Sequence, residues 1–385
     1  MKQIFSFIVI IVACLLCSGF QYQNLEEEIL KVMSDYDAIG ASVVVVKDNK
    51  ICYQQTFGYN PDYKDTTLRK PIPENGIYWL ASVSKTFIST AIMQLVEKRK
   101  IRLDDDVNKY LKFTVRNPNY PDIPITVRML LCHRSSLNDS QYGWTLKMLE
   151  SDNENYAKNY NDYKPGKKYE YCNLGYNLLG AIIEGVTNMR FDEYIYNNIC
   201  KPLGIEGSFN LAQMDSTKLV RTYMYNKEKK KYYVDKSIYN YQYVRKSLDD
   251  YELGKSTACL SPAGGMRITA TDLAKWMMVH MNYGKLNGKR VIKKNTELQM
   301  WDFSAYKQNY AFAFSKYKKI VKGESFMGMT GHSHGVNSVM VFNPEKKYGF
   351  IVITNGYKPT TNKSRLSSLA RELVRPLYRY FIEEQ

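Results

Sequence analysis

Cysteine, histidine and long apolar runs are all in short supply in this chain, and each shortage excludes something. Seven cysteines occur in 385 residues: Cys14 and Cys17 in the first apolar stretch, then Cys52, Cys132, Cys172, Cys200 and Cys259 scattered singly. That odd number at wide spacing offers neither a metal-ligand cluster nor a disulfide framework, so the five body cysteines read as small buried hydrophobes with one pair at most oxidised. Of only four histidines, His332 and His334 alternate in an extended segment, so at most one faces a given side. Two such histidines without a nearby carboxylate make a poor metal site, and neither a metal nor a cofactor is expected. Beyond the first residues no stretch is long and apolar enough to span a membrane. Internal repeats and low-complexity linkers are absent as well.

What is abundant is positive charge and tyrosine. The net charge is +16, with 54 basic and 38 acidic residues, and 33 tyrosines accompany it. The densest patch is Lys227-Glu228-Lys229-Lys230-Lys231-Tyr232-Tyr233. Basic-aromatic patches can bind nucleic acid, but here the charge is spread along the chain, so attraction to an anionic envelope or anionic substrate fits better. For the patch itself the simplest reading is a solvated hairpin tip, and no nucleic-acid partner is expected.

Met1-Lys2-Gln3 followed by the apolar Ile4 to Leu16 and then Cys17-Ser18-Gly19 has the shape of a secretory signal spanning 1–19. An exported protein, periplasmic or extracellular, is expected. Ile11-Val12-Ala13-Cys14 resembles a bacterial lipobox, so lipidation at Cys14 with membrane association is the second reading, and an uncleaved anchor the third.

Ala41 to Val46, a turn at Lys47-Asp48-Asn49-Lys50 and Ile51 to Gly58 predict a β-hairpin. Tyr310 to Ser315, Val339 to Phe342 and Phe350 to Thr354 predict strands, with a turn at Asn343 to Lys347 and a closing helix over Ser364 to Phe381. Between them Ile125 to Leu131, Leu178 to Val186 and Phe191 to Ile199 predict helices. The expected fold is mixed α/β: an antiparallel sheet lobe at about 25–80 and 256–385, flanked by helices, with an all-helical lobe at about 103–254 inserted in one domain spanning 20–385. A cleft between sheet and helical lobe is the natural site.

Ser82-Val83-Ser84-Lys85 opens a helix whose apolar stripe is Phe87, Ala91, Ile92, Leu95 and Val96, so hydroxyl and amine fall one turn apart on one face. A serine at a helix N-terminus, with an amine made neutral by burial, is a nucleophile beside its base. Ser-x-x-Lys recurs at Ser304 to Lys307 and Ser315 to Lys318, both read as surface coincidences. Tyr171-Cys172-Asn173 supplies a phenol and, two residues on, an amide able to point the same way. Gly328-Met329-Thr330-Gly331-His332 precedes the last strand pair, and its glycines allow close approach to an edge strand. His133 reads as a packed loop histidine and Cys172 as packed inward.

Ser82-x-x-Lys85, Tyr171-x-Asn173 and Thr330-Gly331, in that order, resemble the three motifs of the serine β-lactamase and penicillin-binding-protein superfamily. The likeness is nearest to its class C branch, which includes D,D-peptidases and esterases, and runs from about Ile39 to Asn355. It implies acyl-serine chemistry with Ser82 as nucleophile, Lys85 as activating amine, Tyr171 as proton-transfer partner and Asn173 as a substrate-amide contact. Thr330 and Gly331 would line the substrate strand, with the N–H groups of Ser82 and His332 as the oxyanion hole. The third motif usually begins with lysine or histidine; counting back from Pro344 places Met329 there, while another register would start it at His332. Methionine cannot hold a substrate carboxylate, which disfavours β-lactams. Ser136 replaces a usual glycine. The leading expectation is thus a serine hydrolase acting on an ester or a D-amino-acid peptide or amide, with a peptidoglycan-like or small-molecule substrate. The alternatives are a β-lactamase proper and a non-hydrolytic peptidoglycan-binding or sensor protein.

Overall fold

A computed structural model of the chain describes residues 22–384 except 63–64, 66, 142, 144, 237–238, 240–245, 247, 305–307 and 360–367. The expected leader, Cys14, Cys17, Lys307 and the start of the closing helix at Ser364 lie outside the described residues.

Helix α1 (Gln23–Asp35) leads into strands β1 (Gly40–Lys47), β2 (Lys50–Pro61) and β3 (Arg69–Pro71). The run of valines in β1 lacks polar alternation because both faces are covered: every residue from Gly40 to Val46 is buried. Strand β4 (Ile77–Trp79) reaches the 3-10 turn Ala81–Ser84 and helix α2 (Lys85–Glu97). Helices α3 (Val127–Leu131) and α4 (Asn173–Thr187) follow, then the hairpin β5 (Tyr223–Asn226) and β6 (Lys231–Val234). Strand β7 (Arg267–Thr269) pairs with β4 and runs into α5 (Ala270–Met281). A small ribbon, β8 (Lys285–Leu286) and β9 (Lys289–Arg290), precedes β10 (Tyr310–Ala311), β11 (Phe314–Tyr317), β12 (Phe326–Ser333), β13 (Val336–Asn343) and β14 (Tyr348–Thr354). Helix α6 (Ser368–Tyr378) closes the described chain.

Eight strands form one sheet in the order β10-β11-β12-β13-β14-β1-β2-β3, so β1 from the start of the chain lies antiparallel to β14 from its end. The two-residue period of the strands divides the core into two layers. Val44, Val46, Met340, Phe342, Ile351 and Ile353 pack with residues of α2, α4 and α5, whereas Val43, Val45, Val339, Val341, Phe350 and Val352 pack with α1 and α6. The fold is thus mixed α/β, an antiparallel sheet with helices on both faces.

Two expectations change in detail. Tyr310 to Ser315 is not one strand but the tight hairpin β10–β11, turned by Phe312 and Ala313 at φ +32° and +72°. Its alternating aromatics misled because both arms and the turn are buried. The segment between the halves of the sheet also contains a β-hairpin, β5–β6, with exposed Lys227's successors Glu228, Lys229 and Lys230 at its tip.

On α2, the ring of Phe87 stacks on Trp276 of α5 at 4.3 Å between centroids, and the Trp276 indole N–H donates to Thr86 Oγ1 at 2.9 Å. Both rings are fully buried. Phe87→Ala is expected to lower unfolding stability by about 3–5 kcal/mol, measured by denaturant titration.

Candidate active site

The turn that carries Ser82 is held by three hydrogen bonds, two to Met266 and one to Ser338. Leu80 N–H donates to Met266 O at 2.9 Å, Met266 N–H donates to Ser84 Oγ at 3.0 Å, and Ser338 Oγ on β13 donates to Leu80 O at 2.6 Å. Ala81 is thereby fixed at φ +47°, a left-handed conformation that costs a non-glycine residue roughly 1–2 kcal/mol. The turn leaves Ser82 half-buried while its neighbours Ala81, Val83 and Ser84 are buried.

Lys85, in the first turn of α2, is 0% exposed. Its Nζ lies 3.2 Å from Ser82 Oγ, 2.8 Å from Asn173 Oδ1 and 2.6 Å from the carbonyl oxygen of Ala263. Burial pushes the amine down to about 7, against an upward pull from Asp139 and Cys172. A neutral amine has two N–H bonds and one lone pair. The two carbonyl-type oxygens can take both N–H bonds, which leaves the lone pair for the Ser82 hydroxyl. The Ala263 carbonyl is kept in place by its own residue, whose N–H donates to Asn177 Oδ1 on α4 at 3.2 Å.

Tyr171 lies just before α4 and Asn173 is the first residue of that helix, the two separated by the extended Cys172. The Tyr171 hydroxyl donates to Ser82 Oγ at 2.7 Å, so phenol and amine both reach the serine oxygen. Behind Tyr171, the His133 ring sits 4.2 Å away between centroids, and its Nδ1 accepts the Cys172 N–H at 3.1 Å. His133 is packed, as expected, but packed against the site itself. Cys172 is buried, also as expected. Asp139 was not anticipated: its carboxylate accepts from Asn173 N and Nδ2, both at 2.8 Å, from Leu174 N at 2.9 Å and from Cys172 Sγ at 3.3 Å. No short motif flags it, although it lies only a few residues after His133-Arg134-Ser135-Ser136-Leu137. Ser136, at φ +64°, accepts from Asn117 Nδ2 at 2.9 Å, a bond that glycine could not make.

The third motif lies on β12. A Cβ on Gly331 would come within 2.3 Å of Leu80 O and 2.9 Å of Ser82 N, so only glycine lets the strand lie against the nucleophile turn. This contact selects the register that begins at Met329, which is 4% exposed and packed in the layer beneath the sheet. Thr330 accepts from the Tyr317 hydroxyl at 3.4 Å. Strand β11 pairs with β12 only over Phe326 to Gly328, so among the described residues no strand covers that edge from Met329 onward. His332 Nδ1 meets the Tyr357 hydroxyl at 2.7 Å. His334 departs from expectation, because it does have a carboxylate partner, Asp235, at 2.6 Å from Nδ1. That residue lies 99 positions earlier and is brought in by the segment after β6. Among the described residues no cluster able to hold a metal is present.

The other two Ser-x-x-Lys matches go nowhere. Ser304 is exposed and donates to Asp302. Ser315, contrary to a surface reading, is buried within β11, and Lys318 lies exposed beyond the strand.

A family model described as Beta-lactamase matches residues 23–375. The chain belongs to the Beta-lactamase family. Within this family, the chain is 25% identical over 330 residues to Protein flp of Staphylococcus aureus, covering 82% of this chain and 59% of flp. It therefore spans less than two thirds of that relative. Among solved structures, the octameric penicillin-binding protein homologue from Pyrococcus abyssi superposes with a TM-score of 0.69 at 24% identity, covering 92% of this chain and 76% of that one. The D-amino acid amidase from Ochrobactrum anthropi SV3, complexed with D-phenylalanine, also gives 0.69, at 18% identity over 94% and 100%. These two likenesses establish the fold of this Beta-lactamase family member.

Gly331→Ala must displace either Leu80 or β12. It is expected to reduce the reaction of Ser82 with an acylating probe at least about tenfold while changing the thermal midpoint by only a few degrees. Equal labelling rates in the two proteins would contradict this.

Proposed function

We propose that this chain is an exported serine hydrolase that opens amide or ester bonds of D-amino-acid substrates through an acyl-enzyme on Ser82. The observation that carries the reading is the pair of contacts on one oxygen: Tyr171 OH at 2.7 Å and Lys85 Nζ at 3.2 Å from Ser82 Oγ. With Lys85 neutral, the Ser82 hydroxyl donates its proton to Nζ as Oγ attacks the carbonyl. Tyr171, on the other side of Oγ, gives its proton to the departing nitrogen or oxygen and regains one from the Lys85 ammonium. Water then adds to the acyl carbon as Lys85 or Tyr171 takes its proton, and that proton passes to Ser82 Oγ as the acid product leaves.

The remaining roles follow from placement. The N–H groups of Ser82 and His332 receive the developing oxyanion, with Gly331 giving the close approach between strand and turn. The uncovered edge of β12 at Thr330 and Gly331 takes an extended substrate as an added strand. Asn173 has both ends of its amide engaged within the protein, so contact with substrate requires sharing its Oδ1 with Lys85. The D-amino-acid preference is supported by the amidase likeness. Export is supported by the leader's composition alone.

Met329 bears on the substrate class. A buried thioether presents no cation to a carboxylate, so neutral amides and esters fit better than β-lactams, which are anionic at that end. A non-hydrolytic peptidoglycan-binding role is the second reading, and this same residue favours it.

Incubation with D-phenylalanine amide, a p-nitrophenyl ester and a penicillin separates the readings. Multiple turnovers of the amide or ester, abolished by Ser82→Ala and reduced by about two or more orders of magnitude by Lys85→Ala, are expected. Stoichiometric labelling of Ser82 without turnover would establish the binding role instead.

A further inference from the structure

Asp139 is half-buried, and all four of its hydrogen-bonding neighbours are donors: Asn173 N, Asn173 Nδ2, Leu174 N and Cys172 Sγ. Two, Asn173 N and Leu174 N, are the first backbone N–H groups of α4, and Cys172 Sγ belongs to the residue just before it, which explains part of its presence as an acceptor supplied from outside the helix. The fourth is different. Asn173 Nδ2 belongs to a side chain whose other end, Oδ1, lies 2.8 Å from Lys85 Nζ. Both groups are fixed at once by a single Asp139 oxygen, because Oδ2 takes the backbone N–H and the side-chain N–H of the same residue.

We propose that Asp139 is the positioning residue of this site, locking the Asn173 amide with Oδ1 toward Lys85 so that the amine's lone pair stays available to Ser82. This inference rests on the hydrolase reading above. The chemistry of the two amide orientations decides it. As observed, Oδ1 accepts an N–H from Lys85 and the Ala263 carbonyl accepts another at 2.6 Å, so the lone pair is the only part of a neutral amine left for the serine. Rotated by half a turn, the amide would present its NH₂ group to Nζ, donate into that lone pair and cap the base. The rotated form also turns Oδ1 against the Asp139 carboxylate, two acceptors facing each other with no proton between them. Asp139 therefore removes the inhibited orientation. It touches neither the reacting atoms nor a substrate and acts through Asn173. Its charge adds a second effect, raising the pKa of Lys85 against the larger depression caused by burial.

The test is kcat/KM for p-nitrophenyl acetate as a function of pH in the full chain, for wild type, Asp139→Asn, Asp139→Glu, Asn173→Ala and the Asp139→Asn/Asn173→Ala pair. A base must be neutral, so the rate rises as pH increases through the Lys85 pKa. Asp139→Asn should lower the plateau about tenfold or more, and its rising limb should move to lower pH because a negative charge has gone. That shift reports the lost charge whichever role Asp139 has, whereas a helix-capping role alone would give a loss that adds in full to that of Asn173→Ala. Asp139→Glu keeps the charge but displaces the oxygens, so its plateau should fall with the limb unmoved, and it carries the test where Asp139→Asn does not fold. In the Asn173→Ala background, Asp139→Asn should cost less than about threefold more. A plateau within about twofold of wild type in the folded Asp139 variants, or fully additive losses in the pair, overturns the proposal. A wild-type rate no higher than that of Ser82→Ala overturns the hydrolase reading, and this inference with it.

Discussion

Lys85 takes an ionisable amine to a place where no part of the residue meets water, and the arrangement of the surrounding chain follows from satisfying it there. A charged, isolated ammonium in such a position would be very costly, so the group must lose its proton or collect acceptors. The chain does both. Ala263, Asn173 and Ser82 come from segments 178, 88 and 3 residues away and meet at Nζ. Each contact is anchored in turn: Ala263 on Asn177 of α4, Asn173 on Asp139, and the Ser82 turn on Met266 and Ser338. The left-handed Ala81 is tolerated because those anchors leave it no alternative.

The same packing explains why the sheet must be built from both ends of the chain. Strand β12 lies against the Ser82 turn at Gly331, and β13 supplies Ser338 to that turn. Both strands are rigid because β14 and β1 continue the sheet beyond them, with helices on each face. Accurate placement of one glycine against one backbone N–H therefore depends on residues more than 200 positions apart in sequence. Met329 takes part in this packing and offers no charge, and the Lys85 amine is governed by burial, opposed by Asp139 and Cys172.

Much of this was legible in the sequence. Helical spacing put Ser82 and Lys85 on one face, and the extended Cys172 carries Tyr171 to the same site as Asn173, although Asn173 already begins α4. Alternating or unbroken apolar runs located β1, β2, β13 and β14. The Met329 register, inferred by counting from a proline, agrees with the Gly331 contact. What was not legible depends on three-dimensional placement. Asp139 acts across 34 residues on a helix end, and a lone aspartate in a loop carries no periodicity to announce that. Ala263 contributes only a carbonyl, which every residue has. Asp235 reaches His334 from a distant segment, so the absence of a carboxylate near His334 in sequence said nothing of space. The β10–β11 hairpin concealed itself because its turn residues, Phe312 and Ala313, are neither glycine nor asparagine and are buried.

Burial brings the Lys85 amine within reach of its neutral form near neutral pH, where its lone pair can take the Ser82 proton. Titration of the Lys85 ε-carbon resonance in ¹³C-lysine-labelled protein, assigned by its loss in Lys85→Ala, reads that directly. A midpoint near 7 is expected. A midpoint in the ordinary lysine range, about 10.4, would mean that the amine is charged at neutral pH and cannot take the Ser82 proton.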